Sequence, residues 1–137
     1  MSGHAKATYA SSVVEHSLAV VELSRPLVEA VQRRDRELAS QLRRSISRIS
    51  LNLAEAFGTT AGNARLRFQT ALGSVNEAES AIRVAIAWGY FKQEAARPTL
   101  ESPACARRAG VWVGAAVDRF ANTSFLPAGG WPWSAVG

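Results

Sequence analysis

Between Leu38 and Leu53 the large aliphatic residues Leu38, Leu42, Ile46, Ile49 and Leu53 recur at intervals of 4, 4, 3 and 4. A helix turning about 100° per residue gathers them into one stripe, and burial against other helices is what removes such a stripe from water. Arg44 and Arg48 fall away from the stripe and Arg43 flanks it. Asp35 is a candidate N-cap and Gly58 a natural stop, so the spacing predicts a helix over 36–57.

Three more helices are expected, and no strand. The first covers 12–34, with Val14, Leu18, Val21 and Val28 on one side. Pro26 inside it is expected to kink or split it near Ser24 and Arg25. The third covers 64–89, after a polar connection over 59–63, with Phe68, Leu72, Val75, Ile82 and Ile86 on one face and Glu79 in the gap between Val75 and Ile82. Gly89 ends it. Pro98 and Pro103 punctuate the next stretch, and Ser102-Pro103 reads as N-cap and first position of a fourth helix over 103–121. The tail 122–137 is rich in glycine and proline yet holds Trp131 and Trp133. These two are expected to fold back on the bundle or to dock on a partner.

A chain of 137 residues, 47% hydrophobic and 20% charged, suits one soluble domain with a sizeable core. No apolar run approaches the roughly 20 residues that span a bilayer. The first residues lack the apolar core of a secretory signal, so the expected location is cytoplasmic. The net charge is +5, and lysine appears only at Lys6 and Lys92; the other cations are arginines, whose forks suit phosphate and carboxylate.

Catalytic chemistry finds little support. Cys105 is the sole cysteine, which excludes an internal disulfide and a cysteine metal cluster. Neither His4 nor His16 follows a glutamate by three residues, as a di-iron bundle requires. No phosphate-binding loop, dinucleotide fingerprint or nucleophile elbow is present. The expectation is a protein with no catalytic residues, no metal and no cofactor.

The Gln41-Leu-Arg-Arg44 run, Asn52-x-Ala-Glu55 before Gly58, Arg67-Phe68, Gly73-Ser-x-x-Glu77-x-Glu79 and the closing Gly89-Tyr90 together resemble the bacterial four-helix-bundle family that includes proteins encoded in intervening sequences of 23S ribosomal RNA genes. The resemblance spans about Leu38 to Tyr90. Ser50 stands where the family pattern has proline, Ala56 where it has glycine, and Thr59 where it has a basic residue. The resemblance implies an all-α, up-down antiparallel four-helix bundle assembled into a ring-like homo-oligomer, a pentamer. A related bundle is the accessory protein of diversity-generating retroelements, so RNA, DNA or a reverse transcriptase are the partners it suggests.

Two sets of polar residues stand out. Arg43, Asn52, Glu55 and Glu79 are expected to form a buried network that sets helix register, with Arg43 neutralising Glu79. Arg44, Arg48, Arg33, Arg34, Arg65 and Arg67 are candidates for a phosphate-directed surface, multiplied in a ring. No aromatic residue interleaves these arginines in sequence, so binding is expected to be sequence-tolerant. The function expected is a non-catalytic oligomeric binding or scaffold protein. The alternative is a protein–protein interaction module that uses the apolar tail.

Overall fold

The computed structural model describes residues 3–59 and 61–102, with the side chains of 12–59 and 63–102. These residues form four helices, α1 (Gly3–Gln32), α2 (Arg36–Phe57), α3 (Ala61–Ala87) and α4 (Gln93–Leu100), and no strand. The helix expected over 103–121, Cys105 and the tail with Trp131 and Trp133 lie outside the described residues. No helix among the described residues is long and apolar enough to cross a membrane.

α2 forms where its spacing predicts. Asp35 Oδ1 accepts from the Leu38 amide at 2.9 Å, which satisfies one of the orphan donors of the first turn. Leu42, Ile46, Ile49 and Leu53 are fully buried. Gly58 closes the helix by donating its amide to the Glu55 carbonyl, at φ −96°, so this stop does not need glycine's left-handed freedom.

α3 is the other half of the central pair. Its seam is Ala64, Phe68, Ala71, Val75, Ala78, Ile82 and Ala85, all buried at alternating spacings of 4 and 3. Small and large side chains alternate, so α2 packs closely on α3 and Leu53 and Ile49 share a cluster with Phe68 and Val75. Phe57 meets Phe68 edge to face at 5.4 Å between centroids. The expected face contains Leu72 and Ile86, which are only half-buried; the alanines take the central positions. At the far end Tyr90 N donates to Ala85 O and Gly89 N to Ile86 O, both at 2.9 Å, with Gly89 at φ +77°. That is a Schellman closure, and Tyr90 packs into the cluster that contains Ala85.

α1 differs from expectation in three ways. It begins at Gly3, because the alanine-rich stretch before Ser12 propagates a helix without any apolar period. It runs unbroken through Pro26, which is exposed, so the Glu22 carbonyl that loses its donor sits on the water side. Its buried stripe is Val13, Ser17, Val20, Ser24, Leu27, Val28 and Val31 rather than Val14, Leu18 and Val21. Serine fits this stripe because each hydroxyl is satisfied locally: Ser17 Oγ donates to Val14 O at 2.7 Å and Ser24 Oγ to Val20 O at 2.6 Å. Ser50 of α2 then donates to Ser17 Oγ at 2.9 Å, a buried cross-helix bond at the position where the family pattern has proline.

The direction of the helices follows from their clusters. Val13 joins Leu53, Ala56 and Ala64 at one end, and Val31 joins Ala39 and Ala85 at the other. α1, α2 and α3 therefore run up, down and up. α4 occupies part of the side left open between α1 and α3. Gln93 to Arg97 are good helix formers, Ala96 and Thr99 are buried, and Thr99 Oγ1 donates to the Leu23 carbonyl of α1 at 3.2 Å. Pro98 lies in its second turn, where only eight residues need be sustained.

Candidate functional site

The outer face of the α2–α3 pair collects five of the ten polar residues singled out from sequence: Arg44, Arg48, Asn52, Glu55 and Arg67. On α2, Arg44, Arg48, Asn52 and Glu55 succeed one another at spacings of 4, 4 and 3. On α3, Arg67, Thr70, Ser74 and Glu77 do so at 3, 4 and 3. Because the helices are antiparallel, Arg48 and Asn52 face Arg67, Thr70, Gly73, Ser74 and Glu77 across an open groove of about 520 Å³.

One side chain joins the two walls. Arg67 Nε lies 2.8 Å from Glu55 Oε2, and its Nη1 donates to Asn52 Oδ1 at 3.4 Å. Asn52 is buried, and its Nδ2 donates to the Arg48 carbonyl at 2.8 Å, which fixes the orientation of its amide. The guanidinium of Arg67 is thus held by two groups of α2 while remaining half-exposed. At that exposure the ion pair orients Arg67 more than it stabilises the fold. Arg44 and Arg48, one turn apart and exposed, form no ion pair among the described residues.

The expected network over Arg43, Asn52, Glu55 and Glu79 is therefore not one unit. Asn52 and Glu55 meet through Arg67, which the sequence pattern assigns to the basic surface. Glu79 pairs with Arg83 one turn later at 2.8 Å, not with Arg43. Ala78 takes the core position between Val75 and Ile82, so Glu79 sits at the stripe's edge with 25% of its side chain exposed and needs no cross-helix cation. Arg43 is on the opposite side of α2. There it lines a mainly apolar groove of about 460 Å³ between α1 and α2, with Val21, Val28 and Ile46 and with Glu22, Glu29 and Arg25.

The remaining arginines are dispersed. Arg65 is exposed on α3 but lies two residues from Arg67, on another face of the helix. Arg33 and Arg34 are in the α1–α2 turn at the end where α3 closes. There Asp35 Oδ2 accepts from the Tyr90 phenol at 3.4 Å, tying that turn to the α3–α4 connection. Partial desolvation, followed by the Asp35 carboxylate and its hydrogen bond, raises the Tyr90 pKa above the ordinary phenol value; the positive charge of Arg34 acts in the opposite sense. Trp131 and Trp133 lie outside the described residues.

Not among the site residues expected from sequence are Thr70 on the α3 wall, Gly73, Ser74 and Glu77 beside it, which entered only through the family motif, and Trp88 in the turn after α3. The 3-and-4 spacing that continues from Arg67 to Glu77 is the signal that could find Thr70, Ser74 and Glu77. Trp88 is 67% exposed, the most exposed large apolar side chain among the described residues. Among those residues, no three of His, Cys, Asp and Glu converge on a point that could hold a metal ion.

A family model described as 23S rRNA-intervening sequence protein matches residues 11–104 of the chain. The match extends beyond the region that carries the sequence resemblance at both ends, and stops where the helix expected over 103–121 would begin. Comparison with curated proteins and with solved structures found no match.

Proposed function

The chain belongs to the 23S rRNA-intervening sequence protein family, and we propose that it is a non-catalytic, homo-oligomeric helical-bundle protein that binds nucleic acid through the outer face of α2 and α3. The observation that carries this reading is the pair Arg44 and Arg48, exposed, one turn apart and without a carboxylate partner among the described residues, beside a third arginine that Glu55 and Asn52 hold in place. Glu77 on the same groove moderates the charge, so a single subunit binds weakly, and repetition of the surface in an oligomer supplies the avidity. Contacts of this kind are to phosphates, which gives salt-sensitive and sequence-tolerant binding.

Assembly is supported by α1. Because its core stripe uses Ser17 and Ser24, Leu18 and Val21 are left 43% and 37% exposed on the neighbouring face. They continue towards the apolar groove floored by Val28 and Ile46, whose rim carries two glutamates and two arginines, a balance suited to a second copy of the same chain.

Fluorescence-anisotropy titration of RNA and DNA at low and moderate salt tests the binding. Charge reversal at Arg44 and Arg48 is expected to weaken binding by about tenfold or more and to reduce the salt slope by about 2. Unchanged affinity in that variant, or binding by the native chain that ignores salt, would overturn the reading. Light scattering after size exclusion tests assembly: a monomer at working concentrations would remove the oligomer.

A further inference from the structure

The end of the bundle opposite the start of α1 carries a feature that the α2–α3 face lacks, an exposed aromatic ring at the same end as unpaired cations. Trp88 stands in the turn that closes α3, two residues before Tyr90. Tyr90 is anchored on Val31 and Ala39 and hydrogen-bonded to Asp35, so the α3–α4 connection and the α1–α2 turn form one surface. The α1–α2 turn presents Arg33 and Arg34, and the first residue of α2 is Arg36, all exposed and none ion-paired among the described residues; Lys92 is exposed in the α3–α4 connection.

The acid within the arginine run does not neutralise it freely. Asp35 is half-buried, with one carboxylate oxygen taken by the Leu38 amide and the other by the Tyr90 phenol. The exposed acids at this end are Glu29, one turn before Arg33, with Glu37 and Glu94, against the four cations. The apolar surface is small. Val84, one turn before Trp88, is the other exposed large apolar side chain in the last turns of α3. Two such side chains fall far short of the roughly 20–30 residues per side of a stable protein interface. An exposed indole on the same end of the bundle as three unpaired arginines instead matches what a single-stranded nucleic acid offers: an unpaired base to stack and phosphates along the strand. A duplex, with its bases already stacked, offers only the phosphates.

We propose that this end of the bundle binds single-stranded nucleic acid, with one base stacked on Trp88 and the adjoining phosphates held by Arg33, Arg34 and Arg36. The inference rests on the nucleic-acid reading above and adds to it the class of strand and a second contact point. Binding here discriminates by the presence of an unpaired base rather than by its identity, because every base has a π-face.

The test compares an oligothymidylate of about 20 nucleotides with an abasic phosphodiester chain of equal length, so that the two differ in bases and not in charge. The native chain is expected to bind the base-bearing strand more tightly. Trp88→Ala is expected to weaken that strand at least about 5-fold and to leave the abasic strand unchanged, while Trp88→Phe retains most of the difference. Trp88 is exposed, so truncation removes no core packing; circular dichroism and light scattering on the variants check fold and assembly. If Trp88→Ala binds both strands as the native chain does, and binding remains salt-sensitive, this inference is overturned and the α2–α3 reading stands. If no salt-sensitive binding to either strand occurs, both fall. A change in oligomer mass in Trp88→Ala with strand preference intact would overturn the inference in favour of a contact between copies.

Discussion

Three glycines in described helices or turns predict three different responses to the same substitution. At Gly89, φ is +77°, a conformation in which an added Cβ crowds the backbone even though no neighbour lies within 4 Å of it. The cost is the left-handed penalty of about 1–2 kcal/mol for an L-residue. Gly58 has φ −96°, and a Cβ added there would lie 3.7 Å from the Ala54 carbonyl oxygen, an ordinary contact, so alanine should be close to neutral. Gly73 lies inside α3 with open space around it, so alanine should stabilise the helix by about 1 kcal/mol in propensity alone. Urea unfolding at one fixed protein concentration reads all three, with midpoints displaced down for Gly89→Ala, little changed for Gly58→Ala and up for Gly73→Ala. A shift of about 1–1.5 kcal/mol amounts to roughly 0.5–1 M urea. Gly89→Asn serves as a control, since asparagine tolerates the left-handed region better than alanine. Equal midpoints for Gly89→Ala and Gly58→Ala would refute the Schellman closure. A destabilised Gly73→Ala with unchanged assembly would refute the assignment of Gly73 to an open groove.

The buried serine pair should behave as a coupled unit. Ser17→Ala strands the Ser50 hydroxyl and is expected to cost about 1–2 kcal/mol, whereas Ser17→Ala with Ser50→Ala should be milder than the sum, as a thermal-unfolding double-mutant cycle would show. Removing the N-cap in Asp35→Ala should cost about 1 kcal/mol by the same measurement. Tyr90 has a folded pKa above its unfolded value, so the neutral phenol contributes stability that is present below about pH 10 and lost as pH rises through the folded pKa. Alkaline unfolding curves should therefore lose part of their high-pH fall in Tyr90→Phe, and an identical fall would contradict the assignment. Glu55→Ala removes a surface pair and should change stability by less than about 1 kcal/mol while weakening nucleic-acid binding if Arg67 needs its orientation; a loss of several kcal/mol would instead mark a structural role.

The parts of the fold that are legible in the sequence share one property, and so do the parts that are hidden. α2 is the most readable helix because Leu42, Ile46, Ile49 and Leu53 fill core positions and Asp35 and Gly58 bracket it, although Leu38 is half-buried and Ala39 beside it is buried instead. The hydropathy pattern of α1 points one residue away from its true core stripe because Ser17 and Ser24 occupy core positions that score as polar, and their hydroxyls close on carbonyls of the same helix. In α3 the pattern is right at Phe68, Val75 and Ile82; it puts Leu72 and Ile86 in the seam, whereas they are half-buried at the edge of the core, and it is wrong at Glu79, because alanines hold the remaining seam positions. Small side chains are nearly silent in a hydropathy pattern, yet they are what allow neighbouring helices to approach. Once they fill the seams, large residues that the pattern assigns to the core are displaced outward. Leu18 and Val21 become exposed on the face proposed for a second copy, and Glu79 becomes an edge residue paired to Arg83 rather than a buried charge needing rescue. The α2–α3 surface is hidden for the same reason: Arg67 reaches Glu55 and Asn52 only because the register of the alanine seam sets these two opposite it on α2. Exchanging Ala71 and Ala78 for leucine tests this directly, since overpacking should push α2 and α3 apart at a cost of about 1–3 kcal/mol per site and weaken nucleic-acid binding without altering a single surface charge.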